Sequence, residues 1–221
     1  MRIACIFAHP DDEAFGPGGT IASLAEKNDV YVFCATRGEA GQDDQPRIAS
    51  KKLGKIRSEE LRQSAKILGV KKVSFLGFRD GCLCNKTYHN IVRKLINKLA
   101  VIKPQILLTF EPRGISGHID HITVSMVTTY IFDKLPEARE LWYYCLSDNF
   151  RKMINDYFIY FPPGYKKKEV NKVINVEKEW EKKIAAIKAH KSQSEDVQQV
   201  LKLLKKLPKE EYFLIVKKKY T

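Results

Sequence analysis

The sequence predicts an α/β fold in which helices cover both faces of a mainly parallel, doubly wound sheet. Three observations lead to this prediction. Apolar runs alternate with segments of helical period, the runs are apolar almost without interruption, and 221 residues with 44% hydrophobic content suit one globular core. Continuous apolar strands are buried on both faces, and alternation with helices favours parallel pairing, so the pattern is typical of a Rossmann-like sheet.

The elements follow one another regularly as far as Phe150. Predicted strands cover 3–8, 30–35, 73–76, 105–110 and 141–146, and predicted helices cover 19–27, 56–69, 88–101 and a segment beginning near His118. Later residues give a charged helix near 177–190, an amphipathic helix near 195–206 and an apolar run at 212–216. We therefore expect one domain over 1–221, with a Rossmann-like core at 1–150 and a C-terminal cap at 151–221.

Composition indicates in which cellular compartment the protein is expected to work. No segment approaches the roughly 20 apolar residues that a spanning helix needs, so we expect no integral membrane segment. The five cysteines are an odd number without the spacing of a disulfide framework, and two of them, Cys5 and Cys34, lie inside apolar runs. Reduced thiols and a cytoplasmic location fit this usage best.

The formal charge of +13 is compatible with nucleic-acid binding, with an anionic membrane surface and with an anionic substrate. The lysines are spread through predicted helices and clustered late in the chain, without the interleaved aromatic residues of an RNA-binding module. We therefore interpret the charge as a solvated basic surface and expect no nucleic-acid partner.

A glycine-rich turn at 16–20 resembles a phosphate-binding loop only superficially. Gly16, Gly18 and Gly19 give G-x-G-G rather than G-x-G-x-x-G, and the acids that precede them would repel a pyrophosphate. These glycines are expected to turn the chain into its first long helix.

Polar residues cluster directly after two predicted strands. The segment HPDDE, at 9–13, follows the first strand, and SGHIDH, at 116–121, follows the fourth. In the strand order 3-2-1-4-5 these two strands are neighbours at the point where the order reverses, which is where open α/β sheets bind ligands. We therefore expect the two clusters to share one crevice.

The combined residue types indicate a metal site. Two imidazoles and a carboxylate form a ligand set suited to zinc. His9 and Asp12 stand three apart on a tight turn, and His118 and His121 lie one helical turn apart, so all four can surround one ion. They need not all bind it, because a hydrolytic site also requires a base for water and a donor for the developing oxyanion. Taken singly, His9 could cap a turn and the acids could complement a helix N-terminus.

Six motifs, in order, resemble the zinc-dependent de-N-acetylases of the LmbE-like or PIG-L family. They are AHPDDE at 8–13, TRGEAG at 36–41, RSEELRQSAKILGV at 57–70, LGFRDG at 76–81, HIDH at 118–121 and KAHKSQ at 188–193. The resemblance implies one Zn²⁺ per chain, with Fe²⁺ or Co²⁺ as alternatives, held by His9, Asp12 and His121.

The resemblance also implies roles for the remaining site residues. Asp11 would be the general base that activates the attacking water, and Asp120 would orient a protonated His118. His118 would stabilise the oxyanion or protonate the leaving amine. Arg57 and Asp80 match family positions that contact the sugar.

The function implied is a hydrolase that removes the acetyl group from an N-acetylglucosamine-type sugar conjugate, a small-molecule partner. Self-association into a homo-oligomer is left open. Two alternatives from other classes remain, namely a different metallohydrolase of the amidase or phosphodiesterase type, and a basic nucleic-acid-binding protein on a Rossmann-like scaffold. A third hypothesis is an inactive relative that only binds a glycan. The complete set of site residues argues against this hypothesis.

Overall fold

A computed structural model describes residues 1–41, 50–154 and 158–218. Its strands are β1 (Arg2–Phe7), β2 (Asp29–Cys34), β3 (Lys72–Phe75), β4 (Ile106–Phe110), β5 (Glu140–Cys145), β6 (Lys172–Asn175) and β7 (Glu210–Lys217). They form one sheet in the order β3-β2-β1-β4-β5-β7-β6. The strands from β1 to β5 pair in parallel, and β7 pairs antiparallel with both β5 and β6. The predicted α/β class, the mainly parallel pairing and the order 3-2-1-4-5 are confirmed.

The helices of the described ranges connect these strands. They are α1 (Asp12–Phe15), α2 (Gly18–Ala25), α3 (Ser50–Ile67), α4 (Tyr88–Ile102), α5 (Gly114–Gly117), α6 (Ile119–Lys134), α7 (Asp148–Arg151), α8 (Trp180–Lys188) and α9 (Ser194–Leu204). Across 1–41, 50–154 and 158–218, none of them combines the length and apolar character needed to cross a bilayer.

Helix α3 begins six residues before the predicted start at residue 56. Gly54 lowers the helix propensity of residues 50–55. The hydrophobic periodicity therefore did not predict a helix over these first turns. Leu53, only 3% exposed, packs inward and compensates for that low propensity.

The C-terminal region contributes two strands, β6 and β7, to the sheet. The prediction of a cap at 151–221 did not include this strand pairing. The apolar run at 212–216 lies within β7, which pairs with β5 from Tyr212 to Lys217. Strand β6 was not predicted, because an edge strand with the sequence KVIN and exposed ends lacks a continuous apolar run. Phe213 of β7 is fully buried in the same core as Ile3 of β1.

A buried ion pair fastens this region to the N-terminal core. The Glu211 carboxylate accepts hydrogen bonds from the backbone N–H groups of Gly19 and Thr20, at 2.9 and 2.7 Å. The Lys183 ammonium donates to Glu211 Oε1 at 2.6 Å and to the Gly16 carbonyl at 2.7 Å. An internal carboxylate therefore holds the N-terminus of α2, where a phosphate-binding loop would hold its ligand.

Candidate metal centre and active site

The site lies at the carboxyl edge of the sheet, between β1 and β4. These strands are parallel neighbours, with Cys5 opposite Leu108, so the segments that follow them leave the sheet side by side. The strand order reverses here, as expected for a ligand crevice in an open α/β sheet. Residues 9–12 and 118–121 therefore meet although they are distant in sequence.

Three predicted ligands converge on one point. His9 Nδ1 lies 3.1 Å from His121 Nε2, which lies 3.3 Å from Asp12 Oδ1, and His9 Nδ1 lies 3.8 Å from Asp12 Oδ2. Tetrahedral zinc with bonds of about 2.0–2.1 Å separates its ligands by about 3.3–3.4 Å. The three side chains thus form a possible metal site whose spacing fits a small divalent ion.

The outer nitrogen of each imidazole is already engaged. His9 Nε2 lies 2.9 Å from Asp80 Oδ1 and 3.2 Å from Asp120 Oδ2, and His121 Nδ1 lies 3.2 Å from the Gly114 carbonyl. Since these oxygens only accept, each outer nitrogen carries a proton, and a ring that is otherwise neutral presents its inner nitrogen as a lone pair. Lone pairs so close to one another and to a carboxylate favour a bound cation, and such outer contacts are typical of metal-binding histidines.

Backbone groups hold the two carboxylates that support His9. Asp120 accepts from the N–H groups of Gly81 and Leu83, both at 2.9 Å, and Asp80 accepts from the Ala40 N–H at 3.0 Å. Burial would raise the pKa of Asp80, but the contact with His9 lowers it overall. Asp80 is therefore ionised and is a strong acceptor for the His9 ring.

Asp11 and Asp12 are neighbours in opposite electrostatic surroundings. Burial raises the pKa of Asp11 to about 6 against the opposing charge of Arg57. Burial also acts on Asp12, but the charges of His121 and His9 hold the pKa of that carboxyl well below its usual range. Paired carboxyls whose pKa values are driven apart are suited to different tasks, one as a fixed anion and one as a proton acceptor.

Asp11 is also held in an uncommon backbone conformation. Its φ of 116° falls in the left-handed region, where a residue with a side chain is strained by about 1–3 kcal/mol. The carboxylate accepts a hydrogen bond from Arg57 Nη2 at 2.6 Å. Strain of this kind persists only where surrounding contacts determine the conformation.

Arg57 reaches the site from α3 and is 4% exposed. Its guanidinium donates to the carbonyls of Pro10 and Gly38, at 2.7 and 2.9 Å, as well as to Asp11. Gly38 has a φ of 71°, and a Cβ there would lie 2.6 Å from the guanidinium. Gly38, the first glycine of the TRGEAG motif, therefore permits the close approach of the Arg57 guanidinium.

His118 caps the N-terminus of α6. Its Nδ1 accepts from the Asp120 backbone N–H at 3.1 Å, so a neutral ring carries its proton on Nε2. Burial, followed by the charges of His121 and His9, lowers the pKa of His118 to about 4. The ring is neutral near pH 7 in this arrangement, which differs from the expected protonated form, yet Nε2–H is still a donor.

The structure also gives Asp120 a different contact from the expected one. Its backbone N–H fixes the orientation of His118, whereas its carboxylate lies beside His9. The sequence did not reveal this because the direction of the carboxylate depends on the loop containing Gly81 and Leu83.

A cavity of about 720 Å³ opens over the metal-binding residues. His9, Asp11, Asp12, Arg57, Asp80, His118 and His121 all line it. Other residues of the lining come from the C-terminal region, namely Ile154, Phe158, Phe161, Gln193 just before α9, and Glu195, Asp196, Gln199, Val200 and Leu203 of α9. None of the motifs named from the sequence lies in α9, so the contribution of this helix to the cavity was not predicted. The i, i+3, i+4 and i+7 spacing of Asp196, Gln199, Val200 and Leu203 was the available signal.

The fold and the His-Asp-His cluster define an α/β protein with a candidate metal centre at the switch point of its sheet. The family model described as "PIG-L: GlcNAc-PI de-N-acetylase" matches residues 4–132, more than half of the chain. The chain belongs to this family.

Known relatives and structures agree with this membership. A Bacillus anthracis protein named "Probable N-acetyl-alpha-D-glucosaminyl L-malate deacetylase 2" is 27% identical over 195 residues, covering 87% of this chain and 81% of its own. N,N'-diacetylchitobiose deacetylase from Pyrococcus horikoshii has a TM-score of 0.74 at 23% identity, covering 98% of this chain and 84% of its own. A 4-carboxy-2-hydroxymuconate hydratase from Pseudomonas putida has the same TM-score at 18% identity, covering 100% and 98%. Because that fold also serves a hydratase, function must be argued from the site.

Proposed function

We propose that this protein is a metal-dependent hydrolase that removes the N-acetyl group from an N-acetylglucosamine-type conjugate, releasing acetate and a free amine. One observation carries the proposal. A possible three-ligand metal site and a separate carboxylate, Asp11, share one cavity in a chain of the PIG-L family. The name of the Bacillus anthracis relative supports the same substrate class.

His9, Asp12 and His121 would hold the metal, for which zinc fits best among zinc, iron and cobalt. Two nitrogen donors and one carboxylate are a common catalytic zinc ligand set that leaves a position for water and substrate. When bound, the metal would polarise the acetyl carbonyl and lower the pKa of water toward about 7. Asp80 and Asp120 keep the His9 ring in the tautomer and orientation that this binding requires.

Asp11 acts as the general base. It stays free of the ligand set because its carboxylate turns to Arg57 while that of Asp12 turns to His121. It would accept the proton of the attacking water and return it to the amide nitrogen as the C–N bond breaks. The contact with Arg57 keeps the carboxylate aimed during both transfers.

His118 donates a hydrogen bond to the developing oxyanion. The fixed Nδ1 contact with the Asp120 backbone leaves Nε2–H as the donor of the neutral ring. A donor that is positioned before the reaction stabilises the transition state without reorganising. Asp120 therefore contributes twice, through its N–H to His118 and through its carboxylate to His9.

The sugar would lie over the metal-binding residues, with the rest of the conjugate along α9. Arg57 and Asp80 line the cavity, which supports their family role as sugar contacts. Both also have internal partners, so we assign them a second task in holding Asp11 and His9. The apolar residues Phe158, Val200 and Leu203 provide a surface beyond the sugar for the aglycone.

We extend the proposal to a reducing, cytoplasmic setting and to a single domain across 1–221. All five cysteines are free, and Cys5, Cys34 and Cys145 are buried, which is consistent with thiols that function reduced. Self-association of identical chains is compatible with the proposal and is measurable by light scattering.

The proposed function is tested by product release from a panel of N-acetylglucosamine conjugates with anionic, neutral and apolar aglycones. We expect acetate and free amine in equal amounts, a loss of turnover on chelation, and recovery when Zn²⁺ is restored. Metal binding without acetate release from any conjugate would reject the deacetylase and favour a different metallohydrolase. A bis-p-nitrophenyl phosphate assay in parallel would detect a phosphodiesterase.

A further inference from the structure

Glu13 is a fully buried carboxylate beside the catalytic turn that the proposed reaction does not use. Its Oε2 accepts a hydrogen bond from the Asp11 backbone N–H at 3.1 Å. Its Oε1 accepts from the Ser64 hydroxyl and from His190 Nε2, which lies at 2.9 Å. Glu13 thus joins the backbone of the proposed base to two buried groups from distant parts of the chain.

The contact with the Asp11 amide has a specific consequence. The φ of 116° at Asp11 places this residue outside the conformations that most side chains favour. The Asp11 carbonyl accepts from the N–H groups of Ala14 and Phe15, both at 2.9 Å, and its carboxylate accepts from Arg57. Glu13 fixes the amide, and the three contacts together determine the direction in which the Asp11 side chain points.

His190 and Ser64 in turn hold Glu13. Both are fully buried, and the His190 ring packs edge-on against Phe15 at 6.0 Å between centroids. His190 follows α8 and Ser64 lies on α3, so neither belongs to the catalytic turn. Helix α3 thus contributes twice, because Arg57 holds the Asp11 side chain and Ser64 holds Glu13.

We propose that Glu13 is a positioning residue, anchored by His190 and Ser64, that holds the backbone of Asp11 and thereby aims its carboxylate at the attacking water. This inference rests on the proposed function. It assigns a task to the histidine of the KAHKSQ segment, to which the reaction itself gives none.

A double-mutant cycle tests the inference. Glu13→Met keeps the length of the side chain but removes the acceptor, and we expect kcat to fall about 10–100-fold, the usual effect of losing a supporting contact. We expect KM and bound metal to stay within about twofold, because the ligands and the cavity are untouched. In an Asp11→Asn background the same change should cost less than about threefold, since the group that it aims is gone. Equal losses in both backgrounds would overturn the proposal.

Conservative variants separate positioning from a general loss of structure. Glu13→Gln retains an oxygen that can accept from the Asp11 N–H, so we expect its kcat to stay within about threefold of wild type. If Glu13→Met does not fold, His190→Ala replaces it in the cycle, with the same non-additivity expected. Glu60→Met is the matched control, because Glu60 is a buried carboxylate that bonds Ser192 in the same region and does not contact Asp11. A fall in kcat for Glu60→Met equal to that for Glu13→Met would contradict the specific role.

Amide hydrogen exchange measured by NMR tests the contact without relying on any substrate. The Asp11 amide should exchange slowly in wild type and in Glu13→Gln, and about tenfold faster or more in Glu13→Met. If wild type releases no acetate, the proposed function fails, whereas the exchange measurement still decides whether Glu13 holds the Asp11 backbone. Unchanged exchange in Glu13→Met would overturn the inference by itself.

Discussion

Two buried charged clusters flank the glycine-rich turn, and they differ in how their charge is neutralised. On one side Glu211 receives two backbone N–H groups and the Lys183 ammonium, so its charge is balanced within the chain. On the other side Asp12, Asp80 and Asp120 receive hydrogen bonds from backbone N–H groups and contact imidazoles. The first cluster is balanced by an ammonium, whereas the second is paired with imidazoles, which are possible metal ligands.

This difference distinguishes a buried ion pair that stabilises the fold from a cluster of carboxylates and imidazoles that is proposed to bind a metal. Burying a charge costs several kcal/mol unless a partner compensates. Lys183 and Glu211 compensate each other and join α8 and β7 to the start of α2. The carboxylates around His9 instead face imidazole rings, which are the ligands of the proposed metal. Buried carboxylates paired with imidazoles rather than with a lysine are therefore the better indicator of a site in this chain.

Removal of a proposed metal ligand should have the largest effect on metal binding and activity. For His121→Ala we expect loss of bound metal and a fall in kcat/KM of about 10³-fold or more, since the metal supplies several kcal/mol of transition-state stabilisation. Metal analysis and acetate release measure the two effects. His89→Ala is the control, because that histidine is exposed. A His121→Ala variant that keeps both its metal and its activity would mean that the cluster is not the metal site.

Breaking the structural pair should act on stability instead. Lys183→Met leaves the Glu211 charge buried without its ammonium, and we expect a loss of about 3–5 kcal/mol in the free energy of unfolding. Metal content should not change. The double variant Lys183→Met/Glu211→Gln should recover part of the loss, because both charges are removed. Urea unfolding of metal-saturated protein measures these values, and a selective loss of metal in Lys183→Met would erase the distinction between the clusters.

The smallest effect is expected for changes at the carboxylates that contact His9 through its outer nitrogen. Asp80→Asn weakens the contact that fixes the His9 tautomer, and we expect metal affinity to fall about 10–100-fold. At saturating metal and substrate kcat should return toward the wild-type level, although KM can stay raised because Asp80 is also a proposed sugar contact. Recovery of kcat distinguishes this change from removal of a ligand. Competition with a metal-sensitive dye measures the affinity. An unchanged affinity would show that Asp120 alone suffices to hold His9.

The sequence predicted those parts of the molecule that depend on local patterns and on strand adjacency. The five parallel strands follow from continuous apolar runs, and the meeting of His9 with His121 follows from the neighbouring positions of β1 and β4. These features need no knowledge of loop conformation. They sufficed to predict the fold and the groups that share the crevice.

Features that depend on long-range packing were not predicted. The contact between Glu13 and His190 joins residues 177 positions apart, and no local pattern indicates it. The neutral state of His118 follows from burial and from the neighbouring rings, neither of which periodicity reveals. Strand β6 forms because β7 offers it an edge, and its own residues are half exposed.

The central claim is that Asp12 binds the metal while its neighbour Asp11 acts as the base. Asp11→Asn tests it most directly, with Asp29→Asn, which alters an exposed carboxylate paired with Lys71, as the matched control. We measure bound metal and acetate release for both variants and wild type. The account predicts metal content equal to wild type in Asp11→Asn and a loss of turnover of about 10²–10⁴-fold, the contribution of a positioned base. Unchanged turnover in Asp11→Asn, or a wild-type protein that binds no metal, would contradict it.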